Sequence, residues 1–470
     1  MIALSLQSIA EAVSGTLHLP DDSTPAQTVV SGSVHTDSRD VTSGSIFVAK
    51  PGAVTDGHLF APSAVERGAA LLIVERVLDL PVPQIVVRDV VTALGALASR
   101  VVSLVRSDGK LKIVAVTGSN GKTTTKNLLR EIFTRVGPTV AARGSFNNQV
   151  GAPMTMLEVT RDTEYLVVEM GASGVGSIAR LIDLVRPDIG IVLTVGLAHA
   201  GVFGGLDATV RTKSEMVTGL RETDVAVLNA DDPRVAGMSA ATRARVVFFG
   251  EYGDAVVRAA GVRTSRAGTT FDLSLASGES SPVSFRVLGE HHVTNALAAA
   301  ATADAIGVPL ATIVAALESV ERAERWRMEV LGGRDGVTII NDAYNASPDS
   351  MIAALKTLAQ IAEPGARTIA VLGEMAELGA LTGEEHDRVG LLAVRLNISQ
   401  VVVVGREARR MHISTINEGS WDGESAYVDT ADEAFILLQT LIQPGDTVLV
   451  KSSNSAGLRF LGDRLGDLFS

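Results

Sequence analysis

The sequence predicts an α/β protein of three domains, and three observations carry that prediction. Short runs of Val, Ile and Leu alternate with segments of helical apolar spacing, the pattern of mostly parallel sheets covered by helices. The 470 residues suffice for about three domains of roughly 150 residues each. Finally, 45 glycines beside only 4% aromatic residues fit many tight turns between strands of β-branched residues.

The bulk numbers exclude several functions. A hydrophobic content of 46% is ample for large cores. The net charge of −12 argues against a nucleic-acid surface, which needs a basic footprint, yet leaves room for a local basic pocket. With no cysteine there are no disulfides and no thiol chemistry, which suits a reducing compartment. The start, Met-Ile-Ala-Leu-Ser-Leu-Gln, lacks the basic residues of a signal peptide. The apolar run from Asn295 to Val308 is broken by Thr302 and Asp304, so it reads as a packed helix. A soluble cytoplasmic protein is expected, with no nucleic acid or membrane as partner.

Residues 1–110 read as a small α/β domain. Leu6, Ile9 and Val13 have helical spacing, and Gly15 ends that helix. His35-Thr36-Asp37-Ser38-Arg39 precedes a strand at Ser45–Ala49, and Asp56-Gly57-His58 reads as a turn. A helix at Ala61–Arg67, strands at Ala70–Val74 and Gln84–Val87, and a helix from Val91 to Val105 follow. The polar Ser107–Lys110 is the linker. Locally, Asp-Ser-Arg reads as an Asx-turn with a solvated arginine.

Residues 111–325 form the central domain. Val114–Thr117 is a β-branched strand, Gly118-Ser119-Asn120-Gly121 a tight loop, and Lys122-Thr123-Thr124 the start of a helix. That order builds a phosphate site from loop amides, the positive helix end and one full cation. The general nucleotide-loop pattern would place a glycine where this chain has Val116. Strands at Tyr165–Glu169 and Ile189–Thr194 would bring Glu169 and His199 to the same sheet end, where ligands gather. A carboxylate there suits magnesium. Lys213 falls on a helix at Asp207–Leu220, and Val225–Leu228 is a further strand. Alternating runs between about 245 and 288 predict an antiparallel β patch, after which Gly289–His292 enters a helix carrying Asn295.

Charge around Arg322–Arg327 marks the second boundary, and residues 326–470 read as a Rossmann-like domain. Strands are expected at Val337–Ile340, Ile369–Leu372, Val401–Val404 and Thr447–Val450. Ser347-Pro348 caps one helix, Thr382 with Glu385 makes a capping box ahead of another, and Leu458–Leu468 closes the domain. A Gly-x-Gly-x-x-Gly start is lacking, so no dinucleotide site is expected there.

Taken together, these segments resemble the Mur ligase family over nearly the whole chain. Thr117–Thr124 is similar to the family's shortened ATP loop, which accounts for Val116. Phe146–Pro153 resembles the segment after the loop helix, and Val168-Glu169-Met170-Gly171 with His199 resembles the family's magnesium ligands. Thr212–Glu215 matches the segment whose lysine these ligases carbamylate. His291–Ala296 resembles an adenine-side segment with Asn295 in the nucleotide role, while Arg327 and Asp342 fall where the family contacts phosphate and ribose. Asp37-Ser38-Arg39 with Asp56-Gly57-His58 resembles its uridine-nucleotide domain.

Asn341–Met351 resembles the branch of the family that adds D-alanyl-D-alanine. The branch adding meso-diaminopimelate would show Tyr-Ala-His there and Asn-Pro-Arg further on, and neither is present. Folylpolyglutamate synthases fit less well, because of the Tyr344-Asn345 stretch and the Asp-Ser-Arg domain. A P-loop kinase would need an Arg-rich lid, and an ATP-driven switch has no use for Glu169, His199 and Lys213 together. One departure is Asn454, where the family often carries arginine in Lys-Gly-Ser-Arg.

The resemblance implies ligation of D-Ala-D-Ala to a UDP-MurNAc-tripeptide through an acyl phosphate, by a monomer using ATP and magnesium. Lys122, Glu169, His199 and Lys213 would be catalytic. Thr117, Gly118, Ser119, Asn120, Gly121, Lys122, Thr123, Thr124, Asn295, Arg327 and Asp342 would bind ATP. Ser38, Arg39, Asn147 and Asn148 would bind substrate. Thr123, Glu169 and His199 would hold metal directly, and Lys213 as a carbamate through water. Carbamylation needs the neutral amine, so a lysine pKa lowered by burial and nearby cations is expected.

Overall fold

The computed structural model describes residues 1–20, 25–52, 55–142, 144–197, 205–321, 324–363, 365–418 and 421–470. Three larger sheets follow one another along the chain, beside a small two-stranded one pairing Leu4–Ser5 with Val29–Val30.

The first large sheet runs Thr16–His18, Gln84–Val86, Leu71–Val74, Ile46–Val48, Val34–His35. All neighbours are parallel except the first pair. Leu71–Val74 is buried at every position, as a strand covered on both faces must be. The helix Val90–Arg106 begins where the Asp89 side chain accepts from the Thr92 amide at 2.6 Å. Its apolar face packs on the helices Gly151–Met156 and Ser177–Val185, so the first and second sheets share one core.

The central sheet has nine strands. Its parallel part runs Thr139–Ala141, Tyr165–Glu169, Lys112–Thr117, Ile189–Val192, Val225–Asn229, Arg245–Gly250. An antiparallel patch of Val257–Ser265, Gly268–Ser274 and Ser280–Phe285 extends one edge. The patch begins later than the alternation predicts. Arg245–Gly250 follows a crossover through the helix Pro233–Ala236, enters parallel, and sends Val247 and Phe249 into the core. The Ala-rich helix Glu290–Ala305 packs between that core and the phosphate-loop helix Lys122–Phe133.

The third sheet runs Glu329–Gly332, Thr338–Asn341, Thr447–Lys451, Thr368–Leu372, Gln400–Val404, Glu424–Val428, with only the first strand antiparallel. Ser347 caps the helix Pro348–Ile361 in a reciprocal box with Ser350. The box expected between Thr382 and Glu385 does not form. A 3₁₀ turn at Gly379–Leu381 runs straight into the helix Thr382–Arg395, and the Thr382 hydroxyl donates back to Gly379 O at 2.7 Å. Leu458–Leu468 is the closing helix, packed on Glu329–Gly332, Thr338–Asn341 and Thr447–Lys451.

Candidate active site

Lys112–Thr117 lies between Tyr165–Glu169 and Ile189–Val192, so the phosphate loop leaves the middle of the sheet. Gly121 sits at φ +85°, and a Cβ there would fall 2.1 Å from Asn295 Oδ1. Glycine is therefore required both by the turn and by the approach of the helix Glu290–Ala305. The Lys122 ammonium curls back over the loop, donating to Gly118 O at 2.8 Å and Ser119 O at 3.3 Å. Burial draws its pKa down; Glu169 opposes that and Arg327 adds to it.

Glu169, at the end of Tyr165–Glu169, is fully buried. Its Oε2 accepts from the Thr123 hydroxyl at 2.9 Å. Its Oε1 accepts from Ser145 Oγ at 3.1 Å and Asn147 Nδ2 at 2.8 Å. Lys213 comes from the helix Leu206–Thr218 and is 3% exposed. Its Nζ donates to Thr117 Oγ1 at 3.3 Å. Burial holds this ammonium well below its ordinary pKa and Lys122 pushes the same way, against Glu215 and Glu169. The lowered lysine that carbamate chemistry requires is thus present.

The opposite wall comes from the third segment and the helix Glu290–Ala305. Arg327 Nη2 lies 3.5 Å from Thr123 Oγ1, and its guanidinium stacks 4.4 Å over Tyr344. Buried Lys451 and partly buried Asp342 form an ion pair at 2.6 Å. Ser347 Oγ donates to Asn120 Oδ1 at 3.2 Å, and the Leu197 amide donates to Asp349 Oδ2 at 3.1 Å. Between these walls lies a cavity of about 320 Å³. Among the described residues, Arg327 Nε and His292 Nε2 are buried there without a hydrogen-bond partner. Buried orphan polar atoms facing a cavity mark a place for a polar ligand. Burial pulls the His291 pKa to about 4, with Asp342 opposing and Lys451 assisting, so that ring is neutral at pH 7.

The ATP candidates Gly118, Ser119, Asn120, Gly121, Lys122, Thr123, Thr124, Asn295, Arg327 and Asp342 all line this cavity, together with Glu169 and Lys213. Thr117 lies beneath it, its hydroxyl donating to Met170 O at 2.8 Å. His199 lies outside the described residues. Asn147 turns to Glu169 instead of away from the loop. Asn148 caps the following helix, accepting from the Val150 and Gly151 amides. Asn148 also borders a second cavity, of about 680 Å³, between the first and central sheets. Asp37 lines that cavity too. Ser38 is buried behind it, and Arg39 points to solvent, paired with Asp37.

Among the described residues no three His, Asp or Glu side chains cluster as a metal cage. The buried Glu169 carboxylate beside the Thr123 hydroxyl is nevertheless a hard oxygen pair, which fits magnesium completed by phosphate oxygens.

Sequence reasoning left Ser145, Lys126, His291, His292, Lys451 and Tyr344 off its site. Lys126 is fully buried, and its pKa is lowered to about 8 by burial against Glu169 and Glu324. Its spacing of four from Lys122 was the available signal. Ser145 had none, because only the folded-back segment brings it to Glu169.

Family models for the Mur ligase middle domain, the Mur ligase glutamate ligase domain and the Mur ligase family catalytic domain match residues 116–303, 326–454 and 32–102. A UDP-N-acetylmuramoyl-tripeptide–D-alanyl-D-alanine ligase of Mycobacterium tuberculosis is 41% identical, covering 99% of this chain and 98% of its own. The chain belongs to the Mur ligase family. A crystal structure of MurF from Acinetobacter baumannii superposes at a TM-score of 0.89, with 33% identity over 99% of each chain. MurF from Thermotoga maritima, solved in complex with ADP, superposes at 0.80 with 26% identity, over 93% of this chain and 97% of its own. No described helix of this Mur ligase is long and apolar enough to cross a membrane.

Proposed function

We propose that this chain uses ATP to join D-alanyl-D-alanine to a UDP-N-acetylmuramoyl-tripeptide, forming the pentapeptide precursor of peptidoglycan. The observation that carries this is 41% identity to a ligase of that name over 99% of the chain. Residues 1–110 would hold the UDP-sugar, 111–325 ATP, and 326–470 the dipeptide. A monomer in the cytoplasm belongs to the same proposal.

A carboxylate repels an attacking amine and would have to expel oxide. Transfer of the ATP γ-phosphate to the tripeptide carboxylate removes both obstacles and releases ADP. The dipeptide amine then adds to the acyl carbon, loses a proton, and the tetrahedral intermediate expels phosphate. Such transfer depends on positioning and on neutralising charge.

The residues supply both. The loop amides and Lys122 cradle the phosphates. Arg327, braced by Tyr344, meets the transferred group from the other wall. Glu169 and Thr123, with His199 by resemblance, would hold magnesium, whose contribution when bound is to neutralise phosphate oxygens. Lys213 would serve as a carbamate, because a free ammonium would repel that ion. Asn295 and Asp342 would fix the nucleoside. Ser38, Arg39, Asn147 and Asn148 are proposed on the UDP-sugar side, with Asn147 acting from the partition between the two cavities. The contacts of Asn120 with Ser347 and of Leu197 with Asp349 would exclude water from the acyl phosphate.

Tripeptide labelled with ¹⁸O in its terminal carboxylate tests this route. One labelled oxygen should appear in the released phosphate. Unlabelled phosphate beside normal pentapeptide yield would contradict an acyl phosphate.

A further inference from the structure

Lys126 is fully buried one turn beyond Lys122, and no step above uses it. A buried ammonium is costly unless its hydrogens are matched. Lys126 Nζ donates to Ala142 O at 2.6 Å and Gly144 O at 2.7 Å. Those carbonyls lead directly into the partition between the two cavities. Ser145 and Asn147 reach Glu169 on one side, Phe146 and Asn148 line the 680 Å³ cavity on the other, and Ser145 borders both cavities. The far end is fixed as well, since Asn147 O accepts from the Gly171 amide at 2.7 Å and Asn148 Oδ1 accepts from the Val150 amide at 3.0 Å.

We infer that Lys126 is a positioning residue for this partition. It anchors the near end so that Ser145 and Asn147 hold Glu169 Oε1, and it thereby sets where a carboxylate from the larger cavity meets the phosphate end of the smaller one. The second half of this statement rests on the ligase reading; the anchoring does not. The methylene stem is covered on all sides, so Lys126→Met replaces the ammonium with little change in packing.

The test compares wild type and Lys126→Met by hydrogen exchange, ADP binding and steady-state kinetics. Exchange in peptides covering 145–157 and Gly171 should quicken at least ~10-fold, with Lys122–Phe133 unchanged. The Kd for ADP and the KM for ATP should stay within about threefold, while kcat/KM for the UDP-tripeptide falls at least ~10-fold. Unchanged exchange in those peptides, or an equal rise throughout the central sheet, overturns the anchoring. Quickened exchange with unaltered kinetics overturns its link to the reaction. If Lys126→Met does not fold, Lys126→Gln, which keeps a shorter donor, should show the same pattern in weaker form. Rapid exchange of Gly171 in the wild-type chain would overturn the inference without any variant. Absence of ligase activity leaves the exchange result to decide the anchoring independently.

Discussion

Arg327 opens the third segment yet lies with its Nη2 3.5 Å from the hydroxyl of Thr123 on the phosphate-loop helix. Two consecutive parts of the chain thus complete one site. The neighbours of Arg327, Trp326 and Met328, both sit at positive φ. That costs of order 1 kcal/mol each for non-glycine residues, so the surroundings must enforce it. They do: Trp326 Nε1 donates to Asp463 at 3.0 Å, and the Met328 amide donates to Asp342 Oδ1 at 3.1 Å.

Arg327→Ala removes the cation facing the transferred phosphate. The expected effect is a loss of about 10²-fold in kcat, the scale for one preorganised donor. Steady-state phosphate release at saturating ATP measures it. A loss confined to KM for ATP would assign Arg327 to ground-state binding alone.

Lys213→Met should abolish turnover and yet stabilise the ligand-free protein. The folded pKa of Lys213 lies below its unfolded value, so between the two the unfolded chain binds more protons. Wild-type stability therefore rises with pH across that window, and the burial penalty is present in full below the folded pKa. The variant should melt higher at pH 7, by a few degrees, and show a flatter rise towards pH 10. Short carboxylic acids should restore part of the Lys213→Ala rate. A lower melting temperature would show that Lys213 is held chiefly by its favourable contacts.

His386 ties down one rim of a smaller cavity of about 170 Å³, lined by Ala376, Leu378 and Ser453. Its Nε2 accepts from the Met375 amide at 3.1 Å and its Nδ1 faces Thr382 O at 2.6 Å, which requires the neutral ring. Burial lowers its pKa, although Thr382 O, Glu374, Asp387 and Glu407 all oppose this. As pH falls below about 6.5 the unfolded imidazole protonates first, and its share of stability is lost down to the folded pKa. Melting between pH 7 and 5 should thus fall less steeply for His386→Gln than for wild type. Equal slopes would remove His386 from the acid response.

Lys451→Met leaves the partly buried Asp342 carboxylate without its compensating cation. The expected cost is ~3–5 kcal/mol, with much of it regained when Asp342→Asn is added. Calorimetry of the four proteins in the cycle measures the coupling. Additive losses would mean that the 2.6 Å pair contributes only through packing.

The phosphate loop was legible because its chemistry is local. Thr117–Thr124 encodes strand, turn and helix start in adjacent residues, and Glu169 and Lys213 stand on elements whose apolar patterns are plain. The lowered pKa of Lys213 followed from the resemblance and has a visible cause in burial beside Lys122. What failed to show was set by distant backbone. Asn147 faces Glu169 because residues 144–148 fold back onto the strand end, and no spacing encodes that return. Arg245–Gly250 is parallel because of a crossover, although its composition suits either direction. Thr382 and Glu385 had the letters of a capping box, but the preceding 3₁₀ turn already supplied a helix start.

The central claim is ATP-driven ligation of a dipeptide, and the most direct measurement counts phosphate against product. Purified chain is incubated with ATP, magnesium and UDP-MurNAc-tripeptide, with and without D-Ala-D-Ala, and phosphate and UDP-MurNAc-pentapeptide are quantified together. The account predicts sustained phosphate release only with the dipeptide, one phosphate for each pentapeptide. Release that ignores D-Ala-D-Ala, or that yields no pentapeptide, would contradict it.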